Sequence, residues 1–150
     1  MPVRTKPAAR DQMLGQLLTD AIRLLRRDFH QRARGLNLTP ALSRLLLYVH
    51  RDPGTTQVAL ATRLEVTPVT LSRMLDRLVK FKYVRRVADP ADRRIFRVCI
   101  DTDGEPLVGR MIALSTQTTA KAVAGMSKAE QATLERLLAA LCSNLAGSGK

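Results

Sequence analysis

The stretch QVALATRLEVTPVTLSRMLDRL, from Gln57 to Leu78, leaves this chain few architectures to choose from. Its apolar periodicity is interrupted once, around Glu65-Val66, so it reads as two short helices joined by a tight turn. Thr67-Pro68 is a helix start, because the hydroxyl caps free backbone N–H groups and proline at the first helical position loses no hydrogen bond. In the helix that follows, ending near Lys80, Leu71, Met74, Leu75 and Leu78 fall on one side. Val69, Thr70, Ser72, Arg73, Asp76, Arg77 and Lys80 fall on the other, a polar and mostly basic face. Further on, Tyr83 to Ala88 and Ile95 to Ile100 are rich in Val, Ile, Tyr and Phe. Phe96, Val98 and Ile100 alternate with Ile95, Arg97 and Cys99, which predicts a strand. The turn formers and charges of residues 89–94 between them predict a hairpin with a mobile basic tip.

Helices are predicted on both sides of this unit. Leu14, Leu17, Leu18, Ala21, Ile22, Leu25 and Phe29 recur at three- and four-residue steps from about Asp11, and Gly35 is the expected stop. Leu24 widens that stripe beyond what one chain's core needs. Thr39-Pro40 opens a second helix with Leu42, Leu45, Leu46 and Val49 on its inner face, stopped by Asp52-Pro53-Gly54. Thr55 or Thr56 caps a short third helix carrying Val58, Ala61 and Leu64. Thr102-Asp-Gly-Glu105 and Ser127-Lys-Ala-Glu130 read as capping boxes for a fifth and a sixth helix, with Gly125 between them. The sixth carries Leu134, Leu137, Leu138, Leu141 and Leu145 at near-ideal spacing. The predicted order is α-α-α-α-β-β-α-α.

Charge decides among the functions such a chain can serve. The formal net charge is +12, a balance that favours polyanionic partners through steering and counterion release. From Arg63 to Arg97 there are ten basic residues (63, 73, 77, 80, 82, 85, 86, 93, 94, 97) and four acidic ones (65, 76, 89, 92), a net +6 and half of the total. Aromatics are 3% and Trp is absent, so platforms for stacking single-stranded bases are scarce. Cys99 and Cys142 give neither a zinc spacing nor a disulfide framework, and His30 and His50 have no matching ligand cluster. No metal or cofactor is expected, and with no phosphate-cradling loop or catalytic triad the chain does not read as an enzyme. The N-terminus lacks a secretory h-region and the longest apolar run, Leu45 to Val49, is too short for a bilayer. A cytoplasmic bacterial protein is expected, with no membrane partner.

Within the basic stretch, Arg73 and Arg77 lie four apart on one helix face, flanked by Thr70 and Lys80. The arginine fork matches guanine O6 and N7 in the major groove. Thr67, Thr70 and Ser72 near the helix start, with Pro68 in the same turn, suit phosphates or base edges. At the hairpin tip, Arg93 and Arg94 suit a narrow minor groove, where negative potential is focused. Asp92 can orient the Arg94 guanidinium by a charge-assisted bond. Double-stranded DNA is therefore the expected partner. A basic RNA-binding or nucleoid-type protein, binding by charge alone, is the alternative. A small-molecule binder without a nucleic-acid role leaves the clustered charge unexplained.

Three stretches, LTPALSRLLLYV, QVALATRLEVTPVTLSRMLDRLVKFKYVRR and DPADRRIFRVCIDTDGEPL, resemble the MarR family of transcription regulators over nearly the whole chain, with the SlyA-like branch as a candidate subgroup. The resemblance implies a winged helix-turn-helix, mainly α with a small β-hairpin wing. In it the N- and C-terminal helices interlock two subunits. It divides the chain into a disordered basic arm (1–10), a helical dimerisation region (11–35 and 102–150) and a DNA-binding region (36–101). It makes the helix at 67–80 the recognition helix with Arg73 at a base edge, and Arg94 the wing residue with Asp92 its brace. It also implies a homodimer that acts as a repressor and is released by a small aromatic acid bound near Arg23, Ser43 and Leu47. Family members that sense peroxide have a reactive cysteine near the N-terminal helix, which this chain lacks, so Cys99 and Cys142 are expected to be structural. Glu65 stands in the turn where such motifs often have Gly, and Asp101-Thr102 replaces the usual Leu-Thr.

Overall fold

The computed structural model describes residues 9–147. They form α1 (Ala9–Arg32), a 3-10 turn (Ala33–Leu36), α2 (Pro40–Arg51), β1 (Thr55–Thr56), α3 (Gln57–Leu64), α4 (Pro68–Lys80), β2 (Val84–Ala88), β3 (Phe96–Ile100), α5 (Gly104–Ala122) and α6 (Lys128–Gly147). The arm expected over residues 1–10 lies outside the described residues except for its last two, which already belong to α1.

Local signals set the helix starts in the middle of the chain. The Thr39, Thr56 and Thr67 hydroxyls accept from the backbone N–H of Leu42, Ala59 and Thr70, each cap worth about 1 kcal/mol. Ser127 and Glu130 form the reciprocal box expected before α6, with the Ser127 N–H donating to Glu130 at 2.7 Å and the Glu130 N–H to the Ser127 hydroxyl at 3.3 Å. The box expected at Thr102 does not form. Asp101 takes the Thr102 N–H at 2.8 Å, and α5 begins from a tight turn with no side-chain cap. Gly35 is likewise not the stop of α1. The chain passes through the 3-10 turn, and Asn37 takes the left-handed conformation, φ 53°.

The sheet has three strands, in the order β1-β3-β2, all antiparallel. The hairpin expected from the alternation forms, pairing Val84 with Ile100 and Ala88 with Phe96, while Tyr83 and Ile95 fall just outside the strands expected to contain them. β1 was not expected. Thr55 and Thr56 pair with Val98 and Arg97, so one threonine pair both edges the sheet and caps α3.

The core gathers Leu45, Leu46 and Val49 of α2, Leu60 and Leu64 of α3, Leu71, Leu75 and Leu78 of α4, Val84, Val98, and Leu107, Val108 and Met111 of α5. Each fully buried leucine contributes about 1.5–3 kcal/mol. On α3, Leu60 rather than the expected Val58 faces inward; Val58 is 76% exposed. The terminal helices bury little of their apolar stripes. Leu14, Leu17, Ile22 and Leu24 of α1 are exposed, as are Leu137, Leu138 and Leu145 of α6, which has no buried residue. Cys142 is exposed beside those leucines, not packed away as expected, and Cys99 is half-buried.

A polar junction fastens α1 to α5. Asp28 accepts from Arg32 Nε at 2.6 Å, from the Thr118 hydroxyl at 2.9 Å and from the Lys121 ammonium, while Arg32 Nη1 donates to Gln117 at 3.1 Å. Lys121 first, then Arg32 and Thr118, hold the Asp28 carboxyl far below the usual carboxylate range.

Candidate nucleic-acid interface

The turn between α3 and α4 is tight because α3 ends in a reciprocal pair of backbone bonds. The Val66 N–H returns to the Ala61 carbonyl at 3.1 Å and the Glu65 N–H to that of Thr62 at 3.1 Å. This Schellman pattern needs a left-handed residue at Glu65, and its φ is 54°. Lys82 (φ 56°) ends α4 in the same way, with the Tyr83 N–H on the Leu78 carbonyl. Both positions usually favour glycine.

Between these stops α4 shows the partition its sequence predicts. Leu71, Leu75 and Leu78 are buried, Met74 is half-buried, and Thr67, Pro68, Thr70, Ser72, Arg73 and Arg77 are exposed. The Thr67 hydroxyl donates to that of Thr70 at 2.9 Å while accepting the Thr70 N–H, leaving the Thr70 hydrogen for an outside acceptor. Among the described residues, Arg73 and Arg77 form no ion pair, so both forks are available.

Arg86 was counted in the sequence only as charge, and its role is larger. From β2 it donates through Nε to Gln57 of α3 at 2.9 Å, through Nη1 to Asp76 of α4 at 2.8 Å and through Nη2 to the Ser72 carbonyl at 3.3 Å. One guanidinium thus ties both helices to the wing. The signal for it was present: Val84, Arg86 and Ala88 share a strand face, so an arginine occupies the face that buries Val84.

The wing tip is held by a carboxylate other than the expected one. Asp92 accepts the Arg94 backbone N–H at 3.0 Å and does not orient its guanidinium. Asp89, only 5% exposed, accepts from the Ala91 and Asp92 N–H groups at 2.8 and 3.2 Å and from Arg97 Nε. Arg97 Nη1 reaches on to the Gly54 carbonyl at 2.9 Å, joining the tip to the α2–β1 turn. Arg93 and Arg94 are exposed and form no ion pair among the described residues.

The Ala91 N–H above all, then the Arg97 guanidinium, holds the Asp89 carboxyl below its ordinary value. A lowered folded pKa means that the contribution is complete above the unfolded value, near 3.9, and is lost as pH falls through the folded one. The Ala91 and Asp92 amides are therefore expected to stay protected from exchange between neutral pH and about pH 4, and to lose protection below it. Asp89→Asn should remove that pH dependence; an unchanged profile in the variant would show that another group controls the tip.

The three residues expected around an effector do not come together. Arg23 is 59% exposed on α1 and paired with Asp20, and Ser43 is 1% exposed within α2. Leu47 alone reaches an open cleft of about 390 Å³, shared with Ile112, Ser115, Thr116 and Thr119 of α5, Val123, and Gln131 of α6. Among the described residues no group of His, Cys, Asp and Glu could hold a metal ion, and no helix is long and apolar enough to cross a membrane.

A helix-turn-helix with an open basic face, braced against a hairpin with an arginine tip, defines a winged-helix DNA-binding protein. Residues 36–95 match the sequence model of the MarR family. The transcriptional regulator PA3341 is similar at 29% identity and a TM-score of 0.80, over 89% of this chain and 98% of its own. A mutant MarR from E. coli, complexed with operator DNA, is similar at 27% identity and a TM-score of 0.72, over 91% and 99%. BpsR of Bordetella bronchiseptica, whose DNA binding is regulated by 6-hydroxynicotinic acid, is similar at 26% identity and a TM-score of 0.71, over 87% and 98%. Over residues 36–95, and in fold over most of its length, the chain is similar to transcription regulators of the MarR family.

Proposed function

We propose that this chain is a transcription regulator of the MarR family that acts in the cytoplasm as a homodimeric repressor, reading a pseudo-palindrome with two copies of α4 in successive major grooves and two wings in the adjacent minor grooves. The observation that carries this reading is the open Arg73–Arg77 face of α4, held against the wing by Arg86. A dyad of such helices reads half-sites about one helical turn apart. Residues 36–101 supply the DNA-binding part, with Thr67, Pro68, Thr70, Ser72, Arg73 and Arg77 in the major groove. Arg93 and Arg94 serve the minor groove, with Asp92 fixing the backbone between them. Residues 11–35 and 102–150 supply the dimerisation part, for which the uncovered leucines of α1 and α6 are the support.

Selection from a random or genomic DNA library tests the reading directly. One palindromic site should be enriched, and its advantage over competitor DNA should survive as raised salt weakens binding to random sequence. Equal loss on selected and random DNA would favour the charge-driven alternative. A monomer by sedimentation at micromolar concentration would remove the dimer.

Release by a small aromatic acid is part of the proposal, supported by the likeness to BpsR. The cleft beside Leu47 offers an apolar wall and the hydroxyls of Ser115, Thr116 and Thr119. Arg23 and Ser43 enter such a site only if dimerisation or ligand binding moves α1 and α2.

A further inference from the structure

We infer that Val69 reads the C5-methyl group of a thymine in each operator half-site, an inference that rests on the placement of α4 in the major groove proposed above. Val69 is the second residue of α4 and is 63% exposed, outside the core cluster. Arg73 stands one turn further along the same face, since residues four apart on a helix are neighbours. Nothing in the fold accounts for a valine there. Its χ1 is restricted against the preceding turn, so alanine or a long polar residue would serve an exposed helical position better.

A groove does account for it. The first residues of a recognition helix are those that approach base edges. The apolar group presented on the major-groove edges is the thymine methyl. Valine's stiffness suits that contact, because its methyls are held in one orientation with little rotamer freedom to lose. Its surroundings on α4 are polar apart from the exposed Pro68 beside it: Thr70 is engaged with Thr67, and Ser72 and Arg73 are exposed. The apolar spot on this helix is therefore two small side chains wide. That is the scale of a methyl contact and far smaller than the hundreds of square ångströms of an apolar docking patch.

The test uses the full chain and the operator it selects from a random library. Each thymine is replaced singly by uracil, which removes the methyl and keeps O4 and the pairing edge. At one thymine per half-site the replacement should weaken the unaltered protein by roughly fourfold, the worth of one buried methyl. Val69→Ala, which raises helix propensity and should fold, is expected to bind the thymine and uracil operators equally. Its affinity for random DNA at the same salt should match that of the unaltered protein. If no uracil position weakens the unaltered protein, or if Val69→Ala keeps the full sensitivity, the inference falls while operator recognition stands. If no sequence is enriched at all, the DNA reading falls and takes the inference with it.

Discussion

Gly104→Ala is expected to destabilise the chain by about 3 kcal/mol or more, beyond the usual cost of overpacking. A Cβ at this first residue of α5 would stand 2.1 Å from the Tyr83 carbonyl oxygen and 3.0 Å from Ile100 Cγ2. The oxygen cannot swing aside as a side chain would. It belongs to the backbone between α4 and β2 and already accepts the Asp101 N–H at 3.0 Å. Gly109→Ala is the matched control, because a Cβ there meets nothing within 4 Å. Inside a helix that change should stabilise by about 0.5–1 kcal/mol. Urea unfolding followed by circular dichroism separates the two, and equal midpoints would show that α5 does not press on the start of the wing.

Arg73→Ala is expected to relax sequence preference rather than remove binding. A bidentate arginine–guanine pair is worth about 1–3 kcal/mol of discrimination, and a dimer loses two. The operator should therefore weaken by at least about thirtyfold, with random DNA much less affected. Arg94→Ala should behave differently, weakening all sequences more evenly and lowering the slope of affinity against salt by about one ion per wing. Arg73 and Arg94 occupy separate elements and neither forms an ion pair among the described residues, so the two losses should be separable in binding assays across a salt series. Parallel losses in both variants, on operator and random DNA alike, would argue that α4 supplies charge and not readout.

The parts of this fold that could be read in the sequence are those decided within a few residues. Thr39-Pro40 and Thr67-Pro68 announce their helices because cap and ring act on the next turn, and β3 is legible from the alternation of Phe96, Val98 and Ile100. Thr102 failed as a cap because Asp101, one residue earlier, captured its N–H and hydroxyl. Asn37 displaced Gly35 as the left-handed stop because the helix first tightened into a 3-10 turn. β1 was hidden by its length: two residues carry no periodicity, and their partners lie far along the chain. The same distance hid the pairings of the interface. Five arginines lie on the hairpin, and sequence cannot say that Arg86 turns inward to Asp76 and Gln57, or that Arg97 rather than Arg94 meets a carboxylate. Asp92 looked like the brace from spacing alone, but the buried Asp89 is better placed because the turn brings two backbone amides onto it.

The Asp28 junction and the Gly104 contact grip opposite ends of one rod. Helix α5 has 19 residues, a length of about 28 Å. Its C-terminal half is bonded to α1 through Asp28, and its first residue rests on the Tyr83 carbonyl where the wing begins. Such a rod works as a lever arm. A tilt of about 5° at the α1 end displaces the wing end by about 2.4 Å, several times the slack of a good hydrogen bond. In the dimer proposed above, the half-site spacing would follow the angle at which α5 leaves α1, so that modest repacking among the terminal helices would be magnified at the wing.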